Sequence, residues 1–172
     1  MSLSVNQRMA TLGQSEIRAM TIACDRIKGI NMAQGVCDTG VPPLVIRAAQ
    51  RAMDQGLNSY TRFDGLADLR EALAQKSQAY NGLTVDPETE VTVSAGATGA
   101  FQCACYALLN PGDEVLVFEP YYGYHLSALM AVEAVPRVVR LQPPDWAFDP
   151  AEVERAITPR TKALVINSPG NP

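Results

Sequence analysis

Along residues 45–53 the apolar positions are Val45, Ala48, Ala49, Ala52 and Met53, the i, i+3, i+4, i+7, i+8 spacing of a helix with one buried face. Pro42-Pro43 opens this stretch and Gly56 stops it. Upstream, residues 15–28 read as an amphipathic helix closed by Gly29, and residues 30–33 as a short extended piece entering a turn-rich loop at 34–43. Downstream, Asp64 stands where it could cap a second helix with Leu66, Leu69, Leu73 and Tyr80 as its apolar stripe; Asn81-Gly82 ends it.

From residue 90 the period alternates between two and 3.6. Strands are predicted over 90–93, 114–118, 137–141 and 163–167, and helices over 99–109 and 122–132. A further helix starts at Asp149-Pro150-Ala151-Glu152, where a cap precedes a proline at the first helical position and a glutamate able to reach back. Short β-branched strands separated by helices predict an α/β fold with a mostly parallel sheet covered by helices on both faces. No internal repeat interrupts it. The last strand is followed only by residues 168–172, so it is either an edge strand or one cut off from its returning crossover. The second reading is preferred, because an uncovered parallel sheet exposes apolar surface.

Composition narrows the class. In 172 residues, 47% are hydrophobic and 19% charged, a balance that excludes disordered, collagen-like and coiled-coil chains. A net charge of −4 without a basic block argues against a nucleic-acid partner. No apolar run reaches the roughly 20 residues of a bilayer span, and the first residues lack an apolar signal core, so a soluble, cytoplasmic protein without a membrane partner is expected. Cys24, Cys37, Cys103 and Cys105 read as small buried thiols, and with His125 the only histidine no metal site is expected.

In open α/β sheets ligands bind beyond the carboxyl ends of the strands, which directs attention to the loops after Val93, Phe118 and Asn167. Residues 94–99, Ser-Ala-Gly-Ala-Thr-Gly, are small and open a helix, which suits an anion; a plain helix start remains the alternative. Residues 119–125 carry Tyr121, Tyr122, Tyr124 and His125, rings that either pack in a core or stack on a planar ligand. His125 reads as structural rather than catalytic. After Asn167, Pro169 and Asn171-Pro172 place a polar amide in a tight turn. The three loops together describe a pocket for a flat, phosphorylated cofactor better than any one alone.

These residues resemble the class I/II aminotransferases, the pyridoxal 5'-phosphate (PLP) enzymes of fold type I. The resemblance lies in Asn31-Met32-Ala33-Gln34-Gly35, Asn58-Ser59-Tyr60-Thr61-Arg62-Phe63-Asp64-Gly65 with Leu69-Arg70-Glu71-Ala72, and residues 91–97. It continues through residues 109–115, Glu119-Pro120-Tyr121-Tyr122, Asp145-Trp146 and residues 167–172. Tyr60-Thr61-Arg62-Phe63 and Asp145-Trp146 look closest to the kynurenine and glutamine aminotransferase-like branch.

The resemblance implies an N-terminal part of an enzyme that moves an amino group from an amino acid to a 2-oxo acid, working as a homodimer. It implies a phosphate loop at Gly96, Ala97 and Thr98, Tyr122 stacked on the pyridine, Asn171 on the cofactor's 3'-oxygen, and Gly35 beside the substrate carboxylate. Tyr60 would reach the phosphate of the neighbouring subunit. Residues 1–40 would be an N-terminal arm and small-domain segment, and 41–172 the first half of the large PLP-binding domain. The Schiff-base lysine of the family would lie beyond Pro172, and Lys28, Lys76 and Lys162 do not match it, so this chain alone is expected to be inactive. A PLP-dependent β-lyase of the same fold and a non-catalytic module are the alternatives; a regulator is disfavoured because residues 1–30 show no helix-turn-helix.

Overall fold

The computed structural model describes residues 4, 6, 15–35 and 37–170. They form two compact units that divide in sequence between Ser94 and Ala95, the residues up to Glu16 grouping with the second.

In the first unit, α1 (Glu16–Arg26) closes where the Gly29 N–H donates to the Cys24 carbonyl at 3.0 Å. Helix α2 (Pro43–Asp54) begins on its proline and is stopped at Gly56, φ +75°. Its apolar face is present but not buried: Val45 and Met53 are more than half exposed, because no described element packs extensively on it. Helix α3 (Ala67–Lys76) runs into a π-helical turn (Ser77–Asn81) and ends on Gly82 in the left-handed conformation, as the Asn-Gly signal predicts. Two expectations for α3 fail. The position before it is Leu66, and Asp64 does not cap the helix because its carboxylate is held by arginines. The buried side chains are Arg70 and Ala74, one turn apart, whereas Leu66, Leu69, Leu73 and Tyr80 are exposed.

Residues 90–93 are not a strand. Their backbone bonds run from Glu90 to the Asp86 carbonyl and from Val93 to the Asp64 carbonyl, and neither belongs to a ladder. A β-branched run becomes a strand only beside a partner.

The second unit is the α/β layer. It contains α4 (Gly96–Leu108), β1 (Glu114–Glu119), α5 (Gly123–Ala131), β2 (Val135–Arg140), α6 (Pro150–Ala156) and β3 (Thr161–Val165). Helix α4 starts three residues before its predicted limit, and β2 and β3 each begin two residues early. The sheet is wholly parallel in the order β2-β1-β3, with Glu114 beside Val135 and Val117 beside Val165. Its centre, β1, is buried on both faces: Val115 and Val117 on one and Leu116 on the other are almost fully enclosed. The core joins Val115 and Val117 to Cys105 of α4 and to Ala128, Leu129, Val132 and Ala134 of and after α5. Helix α6 opens as predicted, with the Asp149 carboxylate accepting the Ala151 N–H.

One polar cluster ties the strand starts together. The wholly buried Glu114 carboxylate accepts from Arg137 at 2.9 Å, from the Thr158 hydroxyl at 2.7 Å and from Arg160. These donors, Arg137 first, hold its carboxyl down to about 2. Among the cysteines only Cys105 is buried; Cys24 is half-buried, and Cys37 and Cys103 are exposed, because they fall on outward faces rather than in the core.

Candidate functional site

Two of the three predicted loops and Asn167, just past β3, meet in the second unit. Helix α4 begins at Gly96, whose φ of +73° favours glycine on conformational grounds, since an added Cβ would meet nothing within 4 Å. The residue before the helix, Ala95, has no side chain able to cap it, and the first turn carries no acid to oppose an anion at the positive end of the helix. Beyond β1, a cis Glu119-Pro120 bond leads to Tyr122, which precedes α5 and accepts the His125 N–H on its carbonyl at 2.9 Å. Asn167 lies two residues past β3.

Ala97, Thr98, Phe101, Tyr122, Tyr124, His125 and Asn167 line one cavity of about 280 Å³. That volume is close to the lower end of the roughly 300–1,000 Å³ typical of small-molecule sites. Rings form one wall: Phe101 and His125 centroids are 4.5 Å apart, and Tyr122 lies 5.2 Å from Tyr124. Partial burial pushes the His125 imidazole below its ordinary pKa, so it is neutral near pH 7. The cavity therefore presents a helix N-terminus, a ring wall and an amide. A larger open groove between β2 and α6 is lined by Glu119, Arg140, Glu152 and Arg155, but Arg140 is spent on Glu119 at 2.7 Å and no helix N-terminus of useful length faces it. Size does not identify the site; the donor set does.

Of the residues singled out from sequence, Ala97, Thr98 and Tyr122 are brought together, with Gly96 as the first residue of the same helix. Gly35 and Tyr60 belong to the first unit, where Gly35 is irregular and Tyr60 fully exposed. Asn171 lies outside the described residues. Phe101 and Asn167 were not expected in the lining. A signal for Phe101 exists, since it follows Thr98 by three residues on the same helix face. Asn167 is hidden because Ile166 extends the apparent strand past its last paired residue, Val165.

Lys28 occupies a turn at φ 52°, and the Lys76 ammonium lies 5.5 Å from the Tyr80 ring centre, both in the first unit. Lys162 is not ahead of β3 but its second residue. Asn167 lies five residue steps further on, about 16 Å at the rise of a strand.

The first unit holds a second polar constellation. Arg62 forks onto Asp64 with bonds of 3.0 and 2.7 Å, and Arg70 pairs with Glu88 at 2.6 Å and reaches Asp64 at 3.6 Å. Burial, the largest single influence, pushes the Asp64 carboxyl up, but the Arg62 hydrogen bonds, a backbone bond and the charges of Arg62 and Arg70 together outweigh it and the net shift is downward. Glu88 is lowered chiefly by its bond from Arg70.

Residues 27–172 match the family model described as Aminotransferase class I and II. The chain is 42% identical over 156 residues to the Mycobacterium tuberculosis protein named "Probable N-succinyldiaminopimelate aminotransferase DapC", covering 89% of this chain and 39% of that one. It is 36% identical to rat "Kynurenine--oxoglutarate transaminase 1", covering 83% of this chain and 37% of the relative. The solved structure of N-succinyldiaminopimelate aminotransferase from Mycobacterium tuberculosis superposes with a TM-score of 0.92 at 38% identity, over 98% of this chain and 44% of that one. The chain thus spans about two fifths of the length of the curated relatives it matches.

Proposed function

Because the chain belongs to the class I and II aminotransferase family, we propose that it forms part of a PLP-dependent enzyme that transfers an amino group from an amino acid to a 2-oxo acid. The family's PLP dependence gives the class of cofactor; its seat in this protein is the proposal. A single observation carries it: Ala97 and Thr98 at the start of α4, Tyr122 and His125 after β1, and Asn167 after β3 line one cavity.

The residues fit the group. The N–H groups at the start of α4 suit a phosphate dianion, and the positive φ of Gly96 keeps a side chain from narrowing the approach. Tyr122 offers a ring face to the pyridine, with Tyr124 and His125 supporting it from the side. Neutral His125 adds no cation to a lining that has no lysine or arginine, so among the described residues the anion meets backbone dipoles. Asn167 supplies an amide, and Asn171, by the resemblance, a donor to the 3'-oxygen. Bound PLP supplies an electron sink that makes loss of a proton from a substrate amino acid feasible. The apolar wall of Phe101 and the tyrosines excludes water from that face.

The remaining assignments belong to the same proposal. Gly35 would face the substrate carboxylate, and Tyr60 would complete the phosphate site of a neighbouring subunit in a cytoplasmic homodimer. Residues 1–40 would be arm and small domain, and 41–172 the first half of the cofactor domain. By the resemblance none of Lys28, Lys76 and Lys162 matches the lysine that holds the cofactor, so these 172 residues alone would not turn over.

Titrating the full-length protein with PLP, then assaying it with a panel of amino donors and a 2-oxo acid, tests the reading. Saturable binding and amino transfer are expected. Absence of PLP binding, or robust turnover by the 172-residue chain alone, would overturn it.

A further inference from the structure

Arg70 is 1% exposed, yet its Nε and Nη2 groups have no acceptor among the described residues. A buried guanidinium with unmet donors is costly, and an unbranched apolar side chain of similar length would pack there at less expense. What Arg70 does hold is a loop. Its Nη1 donates to the Pro87 carbonyl and pairs with Glu88, while lying 3.6 Å from the same Asp64 Oδ2 that Arg62 engages. Behind that carboxylate, the Asp64 carbonyl accepts the Val93 N–H at 3.0 Å. Gly65, at φ +101°, packs so closely on Val93 that an added Cβ would lie 2.7 Å from it. Residues 62–65 are thus pinned to residues 87–93 by side chain, backbone and packing together.

Tyr60 stands two residues before this clamp and is fully exposed. No packing around its ring places it, so its position is set through the backbone that Arg62, Asp64 and Arg70 anchor. We propose that Arg70 is a positioning residue: by clamping Asp64 and the Glu88 turn it fixes the loop that presents Tyr60, and so controls how tightly the complete protein holds the phosphate of its cofactor. This rests on the reading of Tyr60 as a phosphate ligand, and it assigns a role to a buried side chain that never touches the cofactor.

The test compares full-length wild type, Arg70→Lys, Tyr60→Phe and the double variant. Each is titrated with PLP and with pyridoxal, which lacks the phosphate. Lysine keeps the charge, but its ammonium ends one bond short of Nη1, the nitrogen through which Arg70 meets Pro87, Glu88 and Asp64. The expected result is a loss of preference for PLP over pyridoxal of about tenfold in Arg70→Lys, with pyridoxal affinity unchanged and no further loss on adding Tyr60→Phe. Equal weakening of both ligands, losses that add in the double variant, or unchanged preference would overturn it. If Arg70→Lys does not fold, Glu88→Gln, altering an exposed partner of the same clamp, must shift the preference in the same direction, and an unshifted preference overturns the proposal. Wild type that binds no PLP overturns the underlying reading and this inference with it; wild type that binds PLP while Tyr60→Phe keeps full preference overturns only the assignment of Tyr60 and Arg70.

Discussion

The Tyr122 ring meets the His125 imidazole edge-on, with centroids 5.4 Å apart and planes at 77°. The two rings thus meet edge to face, and the imidazole does not lie stacked parallel over the Tyr122 ring face. If that face carries the pyridine, Tyr122→Ala in the full-length protein should weaken PLP binding by about 1 kcal/mol, roughly fivefold. Fluorescence titration measures it, and unchanged affinity would remove Tyr122 from the site.

Gly96→Ala should both destabilise the fold and weaken the phosphate contact. At φ +73° an L side chain costs about 1–2 kcal/mol, although nothing would clash with the added Cβ. A denaturation midpoint separates the two effects. The expected variant unfolds at lower denaturant and binds PLP more weakly than pyridoxal by comparison with wild type. Wild-type stability would show that the left-handed conformation is not required.

Glu114 gives a pH signature. Its carboxyl is lowered from 4.5 to about 2 in the fold, so it binds fewer protons folded than unfolded. The stability it contributes is complete above pH 4.5 and is lost as pH falls toward 2. Glu114→Gln should flatten that acid limb and lower stability at neutral pH, where Arg137 and Arg160 lose their common anion. Unfolding curves between pH 7 and pH 2 check it; an acid limb identical to wild type would mean that Glu114 is not the group.

Much of this fold is legible in the chain. The signals that worked are local: Pro43 and Gly56 bracketing α2, Asn81-Gly82 ending α3, and Asp149 capping α6. The failures concern partners. Residues 90–93 have strand composition but no ladder, and the leucines of α3 have helical spacing while the burial falls on Arg70 and Ala74. Asp64 is a good cap by type, yet two arginines compete for it, and nothing in a linear pattern weighs an ion pair against a cap. The site shows the same division. Ala97, Thr98 and Tyr122 are marked by loop chemistry, whereas Phe101 and Asn167 enter the lining through helix phase and the true end of β3.

Asn171→Ala in the full-length protein should shift the absorbance maximum of bound PLP and its dependence on pH, because a neutral amide at the 3'-oxygen favours its ionised form. Spectra recorded across pH report this directly. A variant spectrum superimposable on wild type would count against that contact.

The most direct measurement is the diffraction structure of the full-length protein grown with PLP. The expected density places the phosphate against the first turn of α4 at Ala97 and Thr98 and the pyridine face on Tyr122. Density for the cofactor in any other part of the molecule, with this cavity left to solvent, would contradict the proposed site.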